Sequence, residues 1–305
     1  STGPLVRQAG AEMRQWLVEL GASKLGVPAQ QLTMANGTIG VSGRPEQSVT
    51  FAELAAGKPS QRQMSAQSPV TPPDQFKIIG QDIPRVDVPF KVNGTMQYGY
   101  DTTVPGMLHG RVLRAPSLGA TLQSVDVSQA KQMPGVAGVV QDGDFVALAA
   151  DSHDRAQAAL GAIQATWNEL HSPETSETVF DLLKRTPDQG RMSGKGDANA
   201  GLANATKRVK ATVRAPYVTH APIEPESALA QVQDGKVEVW ASTQAPFGIQ
   251  DAVAKALGRP IETVTVHTMM SGGAFGRKSQ PDAAIEAARL SAALGRPVRV
   301  NWTRE

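Results

Sequence analysis

The chain has 305 residues, 40% of them hydrophobic, which suffices to bury a sizeable core in two or three domains. Its 30 basic and 28 acidic residues nearly cancel, and no block of like charge occurs, so neither a nucleic-acid tail nor a membrane-surface helix is indicated. The absence of cysteine excludes a disulfide, a cysteine-ligated zinc site and a cysteine-bound iron–sulfur cluster within the chain.

Val6, Ala9, Met13, Trp16, Leu17, Leu20 and Leu25 recur at helical spacing, and Gly26 and Pro28 then stop the helix. A hairpin is expected around the Asn36-Gly37 turn, and a short helix near residues 51–55. Residues 1–57 therefore form a helix–hairpin–helix segment, and the Ser-, Gln- and Pro-rich stretch 58–75 reads as a linker. In residues 76–170 the pattern predicts strands at 107–113 and 136–141, a short helix at 127–133 and an Ala-rich helix from His153 to Trp167. A polar, Gly-rich connector with one helix near 178–184 covers 171–200. Residues 201–305 are expected to contain strands at 209–217, 229–233, 237–242, 264–268 and 298–302, with helices near 247–257 and 281–294. No apolar run approaches the roughly 18 residues of a membrane span. The start at Ser1-Thr2-Gly3, without an initiator Met or signal-peptide core, is read as processing or truncation.

The run Met270-Ser271-Gly272-Gly273-Ala274-Phe275-Gly276-Arg277-Lys278 lies between a strand and a helix start. Such a loop presents backbone N–H groups and the positive end of a helix dipole, which suits an anionic or oxo ligand. It is neither a P-loop, where glycine would occupy position 277, nor a dinucleotide fingerprint, whose spacing differs. An ordinary tight turn with a solvated Arg-Lys pair remains the competing reading.

Two further segments break that tie: Tyr217-Val218-Thr219-His220-Ala221-Pro222-Ile223-Glu224-Pro225-Glu226, and Trp240-Ala241-Ser242-Thr243-Gln244. In order with the glycine loop, they resemble the His-Ala-x-x-Glu-Pro, Trp-x-x-Thr-Gln and Gly-Gly-x-Phe-Gly segments of molybdenum hydroxylases of the xanthine dehydrogenase and aldehyde oxidase superfamily. Upstream, Pro84 to Gly94, Pro105 to His109, Arg114-Ala115-Pro116 and Met133-Pro134-Gly135-Val136 resemble the hammerhead domain of that superfamily. The helix–hairpin–helix segment is similar to the isoquinoline 1-oxidoreductase and bacterial aldehyde dehydrogenase branch. The resemblance implies an α+β protein, with an α/β-hammerhead domain at 76–170 followed by the first part of a molybdopterin-binding α+β domain at 201–305. Both chain ends would then be internal points of a longer subunit.

The resemblance further implies that Gln244, Gly272, Gly273, Ala274, Phe275 and Gly276 face the cofactor, with Arg277 a weaker candidate; Ala274 stands where the family more often has Gly. It implies molybdopterin, as the cytosine dinucleotide, with molybdenum, and iron–sulfur clusters held only in a partner. The expected partners are a small [2Fe–2S] subunit, the C-terminal remainder of the large subunit and a cytochrome c acceptor, but no nucleic acid. The setting is a periplasmic or membrane-associated complex, or alternatively the cytoplasm. The implied reaction oxidises an aldehyde or N-heterocycle with water as oxygen source. Ser279 replaces the purine-recognising glutamate of xanthine-specific relatives. The family's glutamate base follows a Gly, yet the chain contains no Gly-Glu pair, so no catalytic residue and no protein metal ligand is assigned. A non-catalytic fragment or assembly module is the alternative.

Of the remaining candidates, His220 and Glu224 are four residues apart, but Pro222 and Pro225 exclude a helix, so a structural role is expected. His109 reads as a core or interface histidine, and His153, His171 and His267 have no catalytic spacing. Met269 and Met270 read as packing. Lys278, beside a turn, is expected to be solvated.

Overall fold

The computed structural model describes residues 2–56, 63–65, 67–186 and 194–304, so the expected linker and connector fall partly outside it. The chain divides into two compact units, Ser1–Val86 and Asp87–Glu305.

In the first unit, helix α1 (Thr2–Leu25) packs on an antiparallel sheet of β1 (Leu32–Ala35), β2 (Thr38–Val41) and β3 (Arg44–Thr50), in the order β1-β2-β3. Ile39, Val41 and Val49 form its buried centre. β3 was not expected, because Pro45 and its polar residues hide the strand pattern and Val49 is its only buried residue. Helix α2 (Phe51–Ala55) follows, closed by a capping box in which Thr50 Oγ1 accepts from Glu53 N and the Glu53 carboxylate accepts from Thr50 N. Thr50→Ala should cost this unit about 1 kcal/mol, read as a lower urea midpoint at unchanged slope.

The second unit opens with short helix α3 (Val88–Val92), which was not expected. Its centre is a seven-stranded sheet of β4 (Leu108–Val112), β6 (Val136–Asp142), β7 (Phe145–Ala150), β9 (Ser227–Gln233), β10 (Lys236–Ser242), β11 (Val264–Met269) and β12 (Val298–Asn301). The strand order is β11-β10-β9-β12-β4-β7-β6, with β5 (Thr121–Asp126) and β8 (Gln164–Asn168) forming a separate pair. β12 pairs in parallel with β4, Val298 opposite Leu108, so strands from both sides of the 171–200 connector share one sheet.

Two apolar layers sandwich the sheet. Helices α8 (Pro246–Leu257) and α9 (Asp282–Leu294) cover one face, where Ala283, Ala284, Ala287 and Ala288 let α9 approach closely. Helices α4 (Ser128–Gln132) and α5 (His153–Gly161) cover part of the other face over Val146, Leu148 and Ala150. β7 is an unbroken apolar run because both of its faces are buried.

Several sequence expectations are corrected. The helix expected from His153 to Trp167 ends at Gly161, and Gln164–Asn168 instead alternates in burial and pairs with β5. Residues 209–217 form no strand: Val209, Val213 and Tyr217 are exposed, and the alternating pattern finds no neighbour to complete its backbone hydrogen bonds among the described residues. The connector contains α6 (Val179–Arg185), as expected, and α7 (Ala198–Asn204), which was not expected, straddles its end.

Strand direction positions the candidate residues. β4, β10, β11 and β12 run the same way, so their carboxyl ends share one edge of the sheet. Gln244 follows β10, the glycine loop follows β11, and Trp302 follows β12.

Candidate functional site

The glycine loop is held from beneath by a buried ion pair. Lys278 is only 2% exposed, and its Nζ donates to Glu224 Oε2 at 2.7 Å. The same oxygen accepts from Gly272 N at 2.7 Å, while Oε1 accepts from Tyr100 N at 3.1 Å. The Ser242 hydroxyl accepts from Gly99 N and sits 3.0 Å from Glu224 Oε1 and 2.9 Å from the Met270 carbonyl. Burial works against the ionised carboxyl, but the Lys278 ammonium and the Gly272 and Tyr100 amides outweigh it and hold the Glu224 carboxyl below the usual range. The network joins residues 99–100, 224, 242 and 270–278, four stretches far apart in sequence.

Lys278 corrects the expectation of a solvated side chain. Its carbonyl also accepts from Gln244 N at 3.0 Å and Thr243 Oγ1 at 3.1 Å, tying the end of β10 to the end of the loop. The Lys278–Glu224 pair had no local sequence signal, because a lysine after a turn is ordinarily exposed and its partner lies 54 residues away. Ser242 and Tyr100 escaped notice for the same reason.

The loop adopts a conformation that only part of its sequence explains. Gly273 and Gly276 have φ of 102° and 100°, a region closed to most side chains, whereas Phe275 is a non-glycine residue at φ 53°. Phe275 is 71% exposed. Gly276 N donates to Gln244 Oε1 at 3.0 Å, which consumes that amide and orients the Gln244 side chain with its oxygen toward the loop. The Gln244 Nε2 group retains its donors, and the amides of Gly273, Ala274 and Phe275 meet no acceptor among the described residues. Gly272 N is engaged by Glu224.

Arg277 turns away from these donors. Its guanidinium ion-pairs with Glu226 at 3.0 Å and Asp282 at 2.9 Å, and lies 5.0 Å from the centre of the Trp302 ring. A cofactor phosphate would have to compete with both carboxylates. His220 comes beside the loop, its Nε2 3.8 Å from where a Cβ on Gly276 would lie. Residues 220–224 are non-helical, and Glu224 N donates to Gly272 O at 3.1 Å, so this segment runs alongside the loop. His267 stacks on Trp240 at 4.8 Å and makes no hydrogen bond to Glu224, Ser242 or Lys278 among the described residues.

Tyr98, Tyr100, Asp101, Ile223, Glu224 and Gly272 border an open cleft of about 490 Å³ against the loop. Among the described residues no cluster of three or more His, Asp or Glu side chains could hold a bare metal ion, and no helix is long and apolar enough to cross a membrane. The loop's functional groups are N–H donors, which suit oxo, carbonyl or ring-nitrogen acceptors.

Residues 183–305 match the molybdopterin cofactor-binding domain. The chain is 33% identical to a nicotinate dehydrogenase polypeptide of Pseudomonas putida over 98% of its own length and 26% of that protein. It is 30% identical to the beta subunit of isoquinoline 1-oxidoreductase of Brevundimonas diminuta, over 99% of its own length and 44% of that protein. The chain thus spans less than half the length of either relative. The crystal structure of quinoline 2-oxidoreductase from Pseudomonas putida 86 has the same fold, with a TM-score of 0.59 at 24% identity over 73% of this chain and 34% of that one. The chain is thus similar along nearly its whole length to a segment of the molybdenum-binding proteins of the xanthine dehydrogenase and aldehyde oxidase family, and residues 183–305 carry the match to their cofactor-binding domain.

Proposed function

We propose that the second unit supplies one wall of a molybdopterin site in an enzyme that oxidises an N-heterocycle or an aldehyde, with water as oxygen source. The observation that carries this reading is the set of unengaged donors on one loop: the amides of Gly273, Ala274 and Phe275 and the Gln244 Nε2 group. These donors fit a pterin bearing an oxo-ligated metal, because neutral N–H groups bind oxygen and ring-nitrogen acceptors without adding a competing charge. Bound molybdopterin would supply the two-electron redox centre, and the protein's part would be binding and orientation.

Within the chain, the Glu224–Lys278 pair holds the loop from below, and the Gly276–Gln244 bond sets which end of the Gln244 amide faces outward. Gly273 and Gly276 allow backbone to approach a ligand where a Cβ would intrude. Arg277 contributes by bracing the loop on Glu226 and Asp282. No residue of this chain is assigned as the base. In this reading a glutamate elsewhere in the assembly is the base that deprotonates the water-derived oxygen nucleophile, the substrate hydrogen leaves as hydride to the redox centre that the bound cofactor would supply, and electrons leave through iron–sulfur clusters in a partner subunit. The cytosine dinucleotide form of the cofactor, a [2Fe–2S] subunit, a cytochrome c acceptor and a periplasmic or membrane-associated setting belong to the same proposal and rest on the family resemblance. N-heterocycles are favoured over purines by Ser279, and two relatives are named for nicotinate and isoquinoline.

In the full polypeptide, Gln244→Ala removes one neutral hydrogen bond to the cofactor and should weaken retention by about tenfold. Metal analysis and pterin fluorescence of the purified protein measure this independently of turnover. Unchanged molybdenum and pterin content would remove Gln244 from the site. The 305-residue chain expressed alone should show no substrate-dependent dye reduction; full activity without another polypeptide would overturn the assignment of the base elsewhere and favour a complete enzyme.

A further inference from the structure

One face of β4 and β12 gathers positive charge that the glycine-loop site does not use. His109 and Arg111 are two residues apart on β4, and Arg299 on β12 lies opposite His109, so all three project from the same face. Arg111 is 5% exposed. One of its terminal nitrogens donates to the Asn301 carbonyl and the other meets His153 Nε2 on α5, while its Nε has no partner. Arg299 donates to the Thr102 carbonyl at 3.0 Å, and its Nε is likewise buried and unpartnered. Asp101 acts on Arg299 from nearby, but no carboxylate neutralises Arg111 among the described residues. Burial lowers the proton affinity of both guanidiniums, and burial together with the neighbouring cations does the same to His109.

The carboxyl ends of β4 and β12 and helix α5 enclose a pocket of about 110 Å³ beside Arg111. Gln157, Asn301 and Thr303 line it with neutral polar groups. Arg114 also lines it, but the Glu286 carboxylate already neutralises that guanidinium. No Asp or Glu among the described residues faces the space. The volume corresponds to roughly three or four waters, which suits an ionic head group better than a bulky molecule. A buried guanidinium with free donors and no counter-ion is unfavourable, and its planar fork matches an oxyanion bearing two acceptor oxygens.

We propose that this pocket binds a small oxyanion, a carboxylate or a phosphate group, on the guanidinium of Arg111. The site shares a sheet edge with the glycine loop but uses none of its residues, and it stands independently of the cofactor reading.

The test uses the full polypeptide with ¹⁵N-labelled histidine, titrated separately with acetate and with inorganic phosphate at ionic strength held constant with sodium chloride. The His153 ring signals should shift saturably with at least one of the two. Saturation with acetate identifies a carboxylate site, and saturation with phosphate identifies a phosphate site. Arg111→Lys keeps the charge but loses the fork and should weaken the response about tenfold. Arg111→Met should abolish it, while Lys255→Met, in an exposed pair on α8, should leave it unchanged. A wild-type chain with no saturable shift in either titration overturns the proposal, and needs no variant to fold. A full response in folded Arg111→Met, or an equal response to chloride alone, also overturns it.

Discussion

Lys278→Met lowers the stability of the second unit by about 3–5 kcal/mol, because it leaves Glu224 buried without its ammonium partner. Tryptophan fluorescence during urea unfolding reads this directly, since Trp240 and Trp302 both lie in that unit. Glu224→Gln should cost a comparable amount by stranding Lys278. The double variant should recover much of either loss, because removing both charges removes the desolvation penalty along with the attraction. If each single variant costs no more than an exposed pair such as Lys255–Asp251, the loop is not held by this bridge. The acid limb provides a second check. The folded Glu224 carboxyl sits below the usual 4.5, so its contribution to stability is fully present above that pH and is lost as pH falls through the folded value. The slope of stability against pH on that limb should therefore shrink in Glu224→Gln.

The second large effect concerns Gly272→Ala. A Cβ at this position would lie 2.7 Å from Glu224 Cβ, and both atoms are fixed to backbone, so neither can swing aside. The loop must move, stretching the bonds from Gly272 N to Glu224 Oε2 and from Glu224 N to Gly272 O. The expected cost is about 1–3 kcal/mol from overpacking. In the full polypeptide, cofactor content should fall together with stability, measured by metal analysis and by the urea midpoint. A variant of wild-type stability and wild-type metal content would show that the loop accommodates the methyl group and that close packing on Glu224 is dispensable.

Much of the second unit was legible because its signals are local. Helices α8 and α9 carry an apolar stripe at helical period, and β9 to β12 are short segments in which Val, Ala or Leu recur, largely in alternation with polar residues. The errors at β3, at β8 and at residues 209–217 have a common cause. β3 and β8 are largely polar strands whose existence depends on a neighbour, and residues 209–217 have a strand pattern but no neighbour among the described residues to pair with. Three motifs in order identified the glycine loop and Gln244 as one candidate site. Spacing alone could not show that Gly276 N and Gln244 Oε1 bond to each other, nor that Arg277 turns to Glu226 and Asp282.

By itself, the sequence determined the residue types available for chemistry: donor-rich glycine backbone, a single well-placed amide and no cysteine. It also determined the order of the motifs, which carries the family resemblance. Only the tertiary structure decided that Lys278 is buried, that Glu224 is its partner, and that Arg111 is covered without a counter-ion among the described residues. Burial and pairing of charge are properties of what other segments bring alongside. Here those segments are joined by a sheet whose co-directional strands deliver residues from positions 111, 244, 272 and 302 to one edge.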